Sequence, residues 1–371
     1  MKIAIEARGL IGARGVRTYI YQLVRHLIKN SPSDELEILH GSRETMKDFP
    51  TATNSFIPLP HDAIVQWWLS RAVSQHLRRS KPTIVHFTKA DVPSRKLSIP
   101  AVTTIFDVIP LQLPSTQSFL RRLYWRKALQ RAGTLSDHII TISEASKKNI
   151  IELLQVDPNK ITVTPMAVDL DHFKHTEVTS QGSPYILFVG RWDERKNIPA
   201  LIKAFAIIKD VIPHNLIIAG RPADKPINLK AVAKRAGVEG RVIFRENVSY
   251  TDLPALYSGA DVFVYPSVIE GWGFPPHEAM ACGTPVIVSN GDPLPEVVGE
   301  SGEVVVFSTN DLLGRLNDSE FISRLADKIQ GVLINADRRQ QMKTMGPKQA
   351  RKFSWDTVAE ETLRVYHRIT Q

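Results

Sequence analysis

Short, almost continuously apolar runs alternate along the chain with segments of helical period, and this alternation predicts parallel α/β units. In the first half, KIAIE (2–6), LEILH (36–40), IVHF (84–87), AVTTIF (101–106), HIITI (138–142) and ITVTP (161–165) read as strands. Helices are expected between them at 16–30, 63–79, 117–132 and 144–154. The series then starts afresh with YILFVG (185–190), NLIIAG (215–220), RVIFR (241–245), DVFVYPS (261–267) and TPVIVS (284–289). HFKHTEVTSQGSP (172–184), between the two series, is polar, carries Gly and Pro and lacks periodicity, which marks a linker. The pattern therefore predicts two doubly wound domains, 1–175 and 176–352, joined near residue 178 with a cleft between them. A last helix at about 355–369 carries Trp355, Val358, Leu363, Val365 and Tyr366 on a mixed apolar face.

At 371 residues the chain is long enough for two cores, and its 43% hydrophobic and 23% charged composition is that of a globular protein. No run approaches the ~18 apolar residues of a spanning helix. The start, MKIAIEARGL, lacks a signal peptide's apolar core and reads as a buried strand. Cys282 is the sole cysteine, which excludes intrachain disulfides and cysteine-cluster metal sites. A cytoplasmic protein is expected. The net charge of +9 sits wholly in the first half: residues 1–175 hold 24 Lys+Arg against 15 Asp+Glu, whereas 176–371 hold 23 of each. A basic half suits nucleic acid, an anionic membrane surface or a phosphorylated substrate. With no zinc finger or aromatic RNA-reading signature present, nucleic acid is not expected as a partner.

The richest chemistry lies in YPSVIEGWGFPPHEAMACGTP (265–285), where Glu270 and Glu278 bracket a Gly- and Pro-rich run. Pro275 and Pro276 fit the first turn of a helix, and Gly283 fits its end. The loop thus follows the carboxyl end of a strand and opens a helix, the place where open α/β sheets bind ligands. The prolines lack N–H groups, so Gly271, Trp272, Gly273 and Phe274 supply the available amides, suited to a phosphate or a sugar hydroxyl. Glu270 and Glu278 add acceptors of the kind that polyols require.

A second constellation, YILFVGRWDERKN (185–197), places Arg191 and Lys196 on one strand-to-helix turn, with Asn197 as the expected cap. A planar fork and a mobile ammonium together suit a diphosphate. Spacing alone leaves open whether Arg195 is the inward charge instead. EARGLIGARGVRTYI (6–20), with Gly9, Gly12 and Gly15, is a third strand-to-helix loop, but it matches neither a dinucleotide fingerprint nor a P-loop.

EGWGFPPHEAMACGTPVI resembles the E-x7-E signature of retaining glycosyltransferase family 4, whose members adopt the GT-B fold of two Rossmann-like domains facing a central cleft. GVRTYI, VTTIFDVIPL, HIITISEASKKNI, VTPMAVDLDHF, VGRWDERKNIPALIKAF and DLPALYSGADVFVYPS agree with it in order, and FSWDTVAEETLRVY closes the match from 353. The resemblance implies that residues 353–371 pack back toward the first, acceptor-side domain. It implies that Glu278 holds the ribose of a nucleotide sugar, and that Glu270 with the 271–274 amides holds the donor sugar and its phosphate. Arg191 and Lys196 would bind the diphosphate, Gly15 would approach it from the first domain, and the base would lie near Arg221 or Val248. Asp107 joins Glu270, Arg191 and Lys196 as a catalytic candidate. This chain departs from the pattern at Phe106, where the family commonly has His, at Arg17, where a second glycine is common, and at Ala167 and Glu246.

The implied reaction transfers a hexose, mannose or glucose, with retention from a GDP- or UDP-linked sugar to a glycan or lipid-linked acceptor of a surface polysaccharide. The donor is a substrate, and neither a cofactor nor a metal is expected; the DLD at 169–171 reads as a structural loop. The departures leave two alternatives open, a catalytically silent sugar-nucleotide-binding subunit and a GT-B sugar-nucleotide epimerase. SFLRRLYWRKALQRAG (118–133) interleaves Phe119, Leu120, Leu123, Tyr124 and Trp125 with five basic residues. It reads equally as a face for an anionic membrane, extended by Trp67 and Trp68, or as an ordinary amphipathic helix. On the first reading the protein is peripheral on the inner membrane face.

Overall fold

The structure is a computed structural model and describes residues 1–11, 14–59, 61, 64–113, 118–177, 182–223 and 226–371. Gly12 of the glycine-bearing loop, Ala63 and Gln117 at the starts of two expected helices, and 178–181 of the expected linker lie outside the described residues. The chain divides into unit 1, Met1–Met166 with Ser354–Gln371, and unit 2, Ala167–Phe353. The first crossing therefore comes at 166/167, ahead of the expected 175/176.

Among the described residues, unit 1 has seven strands: β1 (Lys2–Glu6), β2 (Glu35–His40), β3 (Thr53–Phe56), β4 (Ile84–Phe87), β5 (Ala101–Thr104), β6 (His138–Thr141) and β7 (Ile161–Val163). They form one parallel sheet in the order β3-β2-β1-β4-β5-β6-β7, which reverses direction between β1 and β4. β4, β5 and β6 are buried along their whole length, as strands covered on both faces must be, which explains their near-continuous apolar sequence. β3 reads TNSF, a polar edge strand that the hydrophobic pattern does not reveal.

The expected helix at 63–79 is observed as Val65–Trp68, Leu69–Val73 with π geometry, and Ser74–Ser80. Ser74 Oγ donates to the Leu69 carbonyl at 2.8 Å, five residues back, where the ladder is widened. Trp68 is fully buried with its indole N–H on the Ile57 carbonyl at 3.1 Å, whereas the adjacent Trp67 is exposed. The two tryptophans therefore do not share one surface.

The helix Trp355–Thr370 belongs to unit 1 and packs on the helix Arg14–Asn30. Ser354 caps it by accepting from the Thr357 amide. Its fully buried Tyr366 meets His86 Nδ1 at 2.6 Å, and His86 Nε2 meets Thr104 Oγ1 at 2.8 Å. Burial pushes the His86 imidazole down to about 3. Arg368 adds a contact to His138 at 2.9 Å.

Unit 2 repeats the architecture with β8 (Tyr185–Trp192), β9 (Asn215–Pro222), β10 (Val242–Glu246), β11 (Val262–Tyr265), β12 (Val286–Ser289) and β13 (Glu303–Val305). These six strands, among the described residues, are parallel in the order β10-β9-β8-β11-β12-β13 and reverse between β8 and β11. β13 is a three-residue edge strand and, like β3, escapes the periodicity.

The buried histidine generates a pH prediction. His86 titrates lower in the folded chain than in an unfolded one, so its contribution is complete above about pH 6.5 and is lost as the pH falls toward about 3. Thermal melts of the wild type should fall over that window, and His86→Asn should flatten the fall. An unchanged pH slope in the variant would place the proton uptake elsewhere.

Candidate functional site

The strand order of unit 2 reverses between β8 and β11, the point where open α/β sheets take ligands, and the loops after these two strands carry the sequence's strongest motifs. After β11 the chain runs through Ser267–Gly273 into the helix Phe274–Ala281. Gly273, at the N-cap, has φ +124°, a conformation that L side chains rarely adopt. The prolines fall in the first turn as expected. At the other end Gly283 has φ +74°, its N–H reaches the Met280 carbonyl at 3.0 Å, and the Thr284 N–H reaches the Ala279 carbonyl at 2.9 Å. This paired pattern is a Schellman stop.

The loop after β8 forms a short 3-10 turn, Glu194–Lys196, followed by Asn197 at φ +51°. That turn aims Arg195 and Lys196 together at the β11 loop. Glu270 Oε2 accepts from Arg195 Nη1 at 2.6 Å, and Oε1 accepts from Lys196 Nζ at 2.5 Å and from Ser267 Oγ. Lys196 Nζ also donates to the Tyr265 hydroxyl at 2.5 Å. The backbones are stitched as well: the Val268 N–H donates to the Arg195 carbonyl at 2.9 Å. The Glu270 N–H donates to the Asp292 carbonyl at 2.6 Å, tying in the loop after β12.

The whole cluster is largely withdrawn from water. Burial alone would raise the Glu270 carboxyl, but Arg195 and Lys196 outweigh it and hold the group at about 2. Burial, and then the neighbouring Arg195 charge, lower Lys196 despite its contact with Glu270. Asp193 stands 3.8 Å from Arg195 and completes the local charge set. A buried carboxylate flanked by two cations is stable only while all three are present.

The other expected site residues fall as follows. Arg191 lies on β8, exposed, opposite Arg221 of β9, while Arg195 makes the contact to Glu270. Asn197 occupies the N-cap position of the helix Ile198–Ile208 but does not cap it with its side chain; its Nδ2 donates to the Arg315 carbonyl at 3.3 Å. The left-handed backbone turns that amide away from the helix amides. Glu278 is buried and accepts from the Tyr257 hydroxyl at 2.8 Å. Trp272 packs edge-on against Phe353 and donates to His277 Nδ1 at 3.3 Å, while His277 Nε2 donates to the Ala350 carbonyl at 3.1 Å. Burial pushes His277 down to about 4, so its neutral form serves both bonds. Gly271 and Phe274 complete the loop and the start of its helix.

Val248 lies past β10 and lines a cavity of about 1380 Å³ that includes Tyr185 and Asn215, the first residues of β8 and β9. Asp169 Oδ1 accepts from the Asp171 and His172 amides at 3.1 and 3.2 Å, so DLD is a turn. In unit 1, Gly15 is the second residue of the helix Arg14–Asn30 rather than a loop residue, and Arg17 on the same helix is exposed. Asp107 Oδ1 accepts from the Ile109 amide at 3.0 Å, opening the short helix Ile109–Gln112, and Phe106 packs edge-on against Tyr19.

Sequence reasoning did not single out Ser267, Tyr265 or Arg315. Ser267 and Tyr265 stand within the quoted motif, and their orientation depends on the strand end. Arg315 donates to the Val268 carbonyl at 3.0 Å from 47 residues away, a link no local pattern encodes.

Two family profiles match in sequence, Glycosyltransferase Family 4 over residues 13–172 and Glycosyl transferases group 1 over 169–349. The O-antigen chain mannosyltransferase B of Escherichia coli is 29% identical over 95% of both chains. Among solved structures, the sucrose-phosphate synthase of Thermosynechococcus elongatus aligns over 100% of this chain and 99% of its own, with a TM-score of 0.77 and 17% identity. Anabaena HepE in complex with UDP-glucose aligns over 99% and 100%, with a TM-score of 0.73 and 16% identity. Matched in order through both units and sharing their architecture, the chain belongs to the family 4 glycosyltransferases, of GT-B fold.

Proposed function

We propose that this glycosyltransferase is a retaining, metal-independent hexosyltransferase. It moves mannose or glucose from a GDP- or UDP-linked sugar to a glycan or lipid-linked acceptor in surface polysaccharide assembly. The observation that carries the site is the buried clamp of Glu270 by Arg195 and Lys196 at the β8/β11 reversal. The mannosyl preference is supported by the E. coli relative's name, and a nucleotide donor by the UDP-glucose bound to HepE.

The difficult part of such a transfer is the negative charge that builds on the leaving diphosphate. In this reading Glu270 holds Lys196 and Arg195 in place before the substrate arrives, so little reorganisation accompanies bond breaking. Arg191, exposed at the same strand end, contacts the diphosphate more peripherally. The Gly273 and Phe274 amides add donors at the start of the helix, and Glu278 accepts from the ribose. On the family resemblance, Arg221 or Val248 neighbours the base. Attack proceeds from the face of the departing phosphate, which takes the acceptor's proton.

We also propose that the segment 118–133 rests on an anionic membrane. The helix Phe119–Leu135 buries Ala128, Leu129 and Ala132, but Phe119 and Leu120 in its first turn are 71% and 76% exposed. Arg121, Arg122, Arg126 and Lys127 flank these apolar residues, a pairing suited to an anionic interface.

Incubation of the full chain with GDP-mannose, UDP-glucose and related donors should release sugar slowly without acceptor; binding without turnover would overturn the enzyme reading. Lys196→Met should lower turnover on the order of 10²–10³-fold while the nucleotide still binds, and an unchanged rate would remove Lys196 from the mechanism. Glu270→Gln should cost about 3 kcal/mol of stability, because it leaves the buried Lys196 ammonium and the half-buried Arg195 guanidinium facing a neutral amide; denaturant melts read this directly. Vesicles with anionic lipid should carry the protein in flotation, and Phe119→Ser/Leu120→Ser should release it. Equal flotation of that variant would refute the membrane assignment.

A further inference from the structure

β11 reads VFVY and is buried along its length, so Tyr265 at its last position puts a hydroxyl where burial favours hydrocarbon. Phenylalanine would fill the same space without that cost. The ring is set by aromatic neighbours. It lies nearly parallel to Phe188 of β8, with centroids 5.6 Å and planes 14° apart, and to Phe263 at 5.9 Å and 21°. Gly190 leaves room for this arrangement, since a Cβ there would stand 3.2 Å from the Phe188 ring and 3.7 Å from that of Tyr265. The hydroxyl therefore leaves the end of β11 in a fixed direction, toward the turn after β8.

There it meets the Lys196 ammonium, whose Nζ donates to the Tyr265 hydroxyl and to Glu270 Oε1, each at 2.5 Å. An ammonium carries three hydrogens on a flexible stem. Among the described residues these two oxygens are its acceptors, which leaves one hydrogen for an oxygen from outside the chain. Two fixed acceptors also decide where that third hydrogen points, because the N–H bonds keep tetrahedral angles. Glu270 alone would leave the ammonium free to turn about a single contact, and that carboxylate is shared with Arg195 and Ser267.

The choice of a phenol for the second acceptor has an electrostatic reason. Burial, and then the Arg195 charge, push Lys196 toward its neutral form, and an acceptor on the ammonium opposes them. A further carboxylate would do this too, but it would repel an anionic ligand. Burial and then the Glu270 charge raise the Tyr265 phenol well above its ordinary value, so it accepts as a neutral hydroxyl.

We infer that Tyr265 is a positioning residue for Lys196: with Glu270 it takes two of the three ammonium hydrogens and turns the third toward the diphosphate of a donor bound at the β8/β11 reversal. Tyr265 acts through Lys196 alone. The inference rests on the transferase reading in taking a nucleoside diphosphate as the ligand.

Calorimetric titration of the full chain with UDP and with GDP, from about pH 7 to about pH 10, reads the ammonium through binding and needs no turnover. The wild-type affinity should fall as Lys196 loses its proton, and Lys196→Met should remove that contribution. Tyr265→Phe keeps the ring and deletes one acceptor of the charged form, so its fall should begin roughly one pH unit lower. In donor turnover the same variant should lower kcat by about tenfold and change the donor KM less. Val242→Ala removes buried surface from the edge strand β10 and should lower the melting temperature without moving the pH of the fall, which separates positioning from lost stability. A Tyr265→Phe affinity that falls at the wild-type pH, or a wild-type affinity indifferent to pH over this range, would overturn the inference and leave the transferase reading intact. Failure of both nucleotides to bind the wild type would overturn the donor site itself, and the role of Tyr265 with it.

Discussion

Parallel pairing of strands is the constraint from which the rest follows. Every pairing in both sheets is parallel, so each strand must be reached by a crossover and each unit sends all its strand ends to one edge. Helices cover both faces, which turns the strands into short apolar runs and leaves polar chemistry to the loops. Where the strand order reverses, neighbouring crossovers leave on opposite sides and a crevice opens between them. Both units place an ion pair at that point.

The two crevices are built by the same device. In unit 1, Arg8 after β1 meets Asp91 after β4; in unit 2, Arg195 after β8 meets Glu270 after β11. In each case a guanidinium from the loop of the first strand pairs with a carboxylate from the loop across the reversal. The pairing is expensive to desolvate and therefore weak as a source of stability, but it fixes two loops that have no backbone ladder of their own. Lys196 distinguishes unit 2, because it adds an ammonium to the same carboxylate and anchors it on Tyr265.

Much of this was legible in the sequence, because burial on both faces writes itself as continuous apolar runs and glycine and proline mark the turns. The core strands and the Glu270–Glu278 loop are of this kind. Two of the four edge strands were not, since β3 reads TNSF and β13 spans three residues, whereas the edge strands β7 and β10 were. The inward charge after β8 was also ambiguous. A 3-10 turn and the left-handed Asn197 decide that Arg195 and Lys196 point the same way, and side-chain spacing does not encode that geometry. Trp67 and Trp68 show the same limit, for adjacent residues on a helix face different environments however alike they are.

The assignment of Ser354–Gln371 to unit 1 means that unit 2 is inserted within unit 1 along the chain. A ribosome therefore finishes unit 2 before it has made the helix that completes its predecessor. Until that helix emerges, His86 and Tyr19 lack the cover of Tyr366 and Trp355, and the older half of the molecule waits with an open core. The usual order of completion, amino-terminal domain first, is inverted at this last step: the first-begun unit is the last to be sealed.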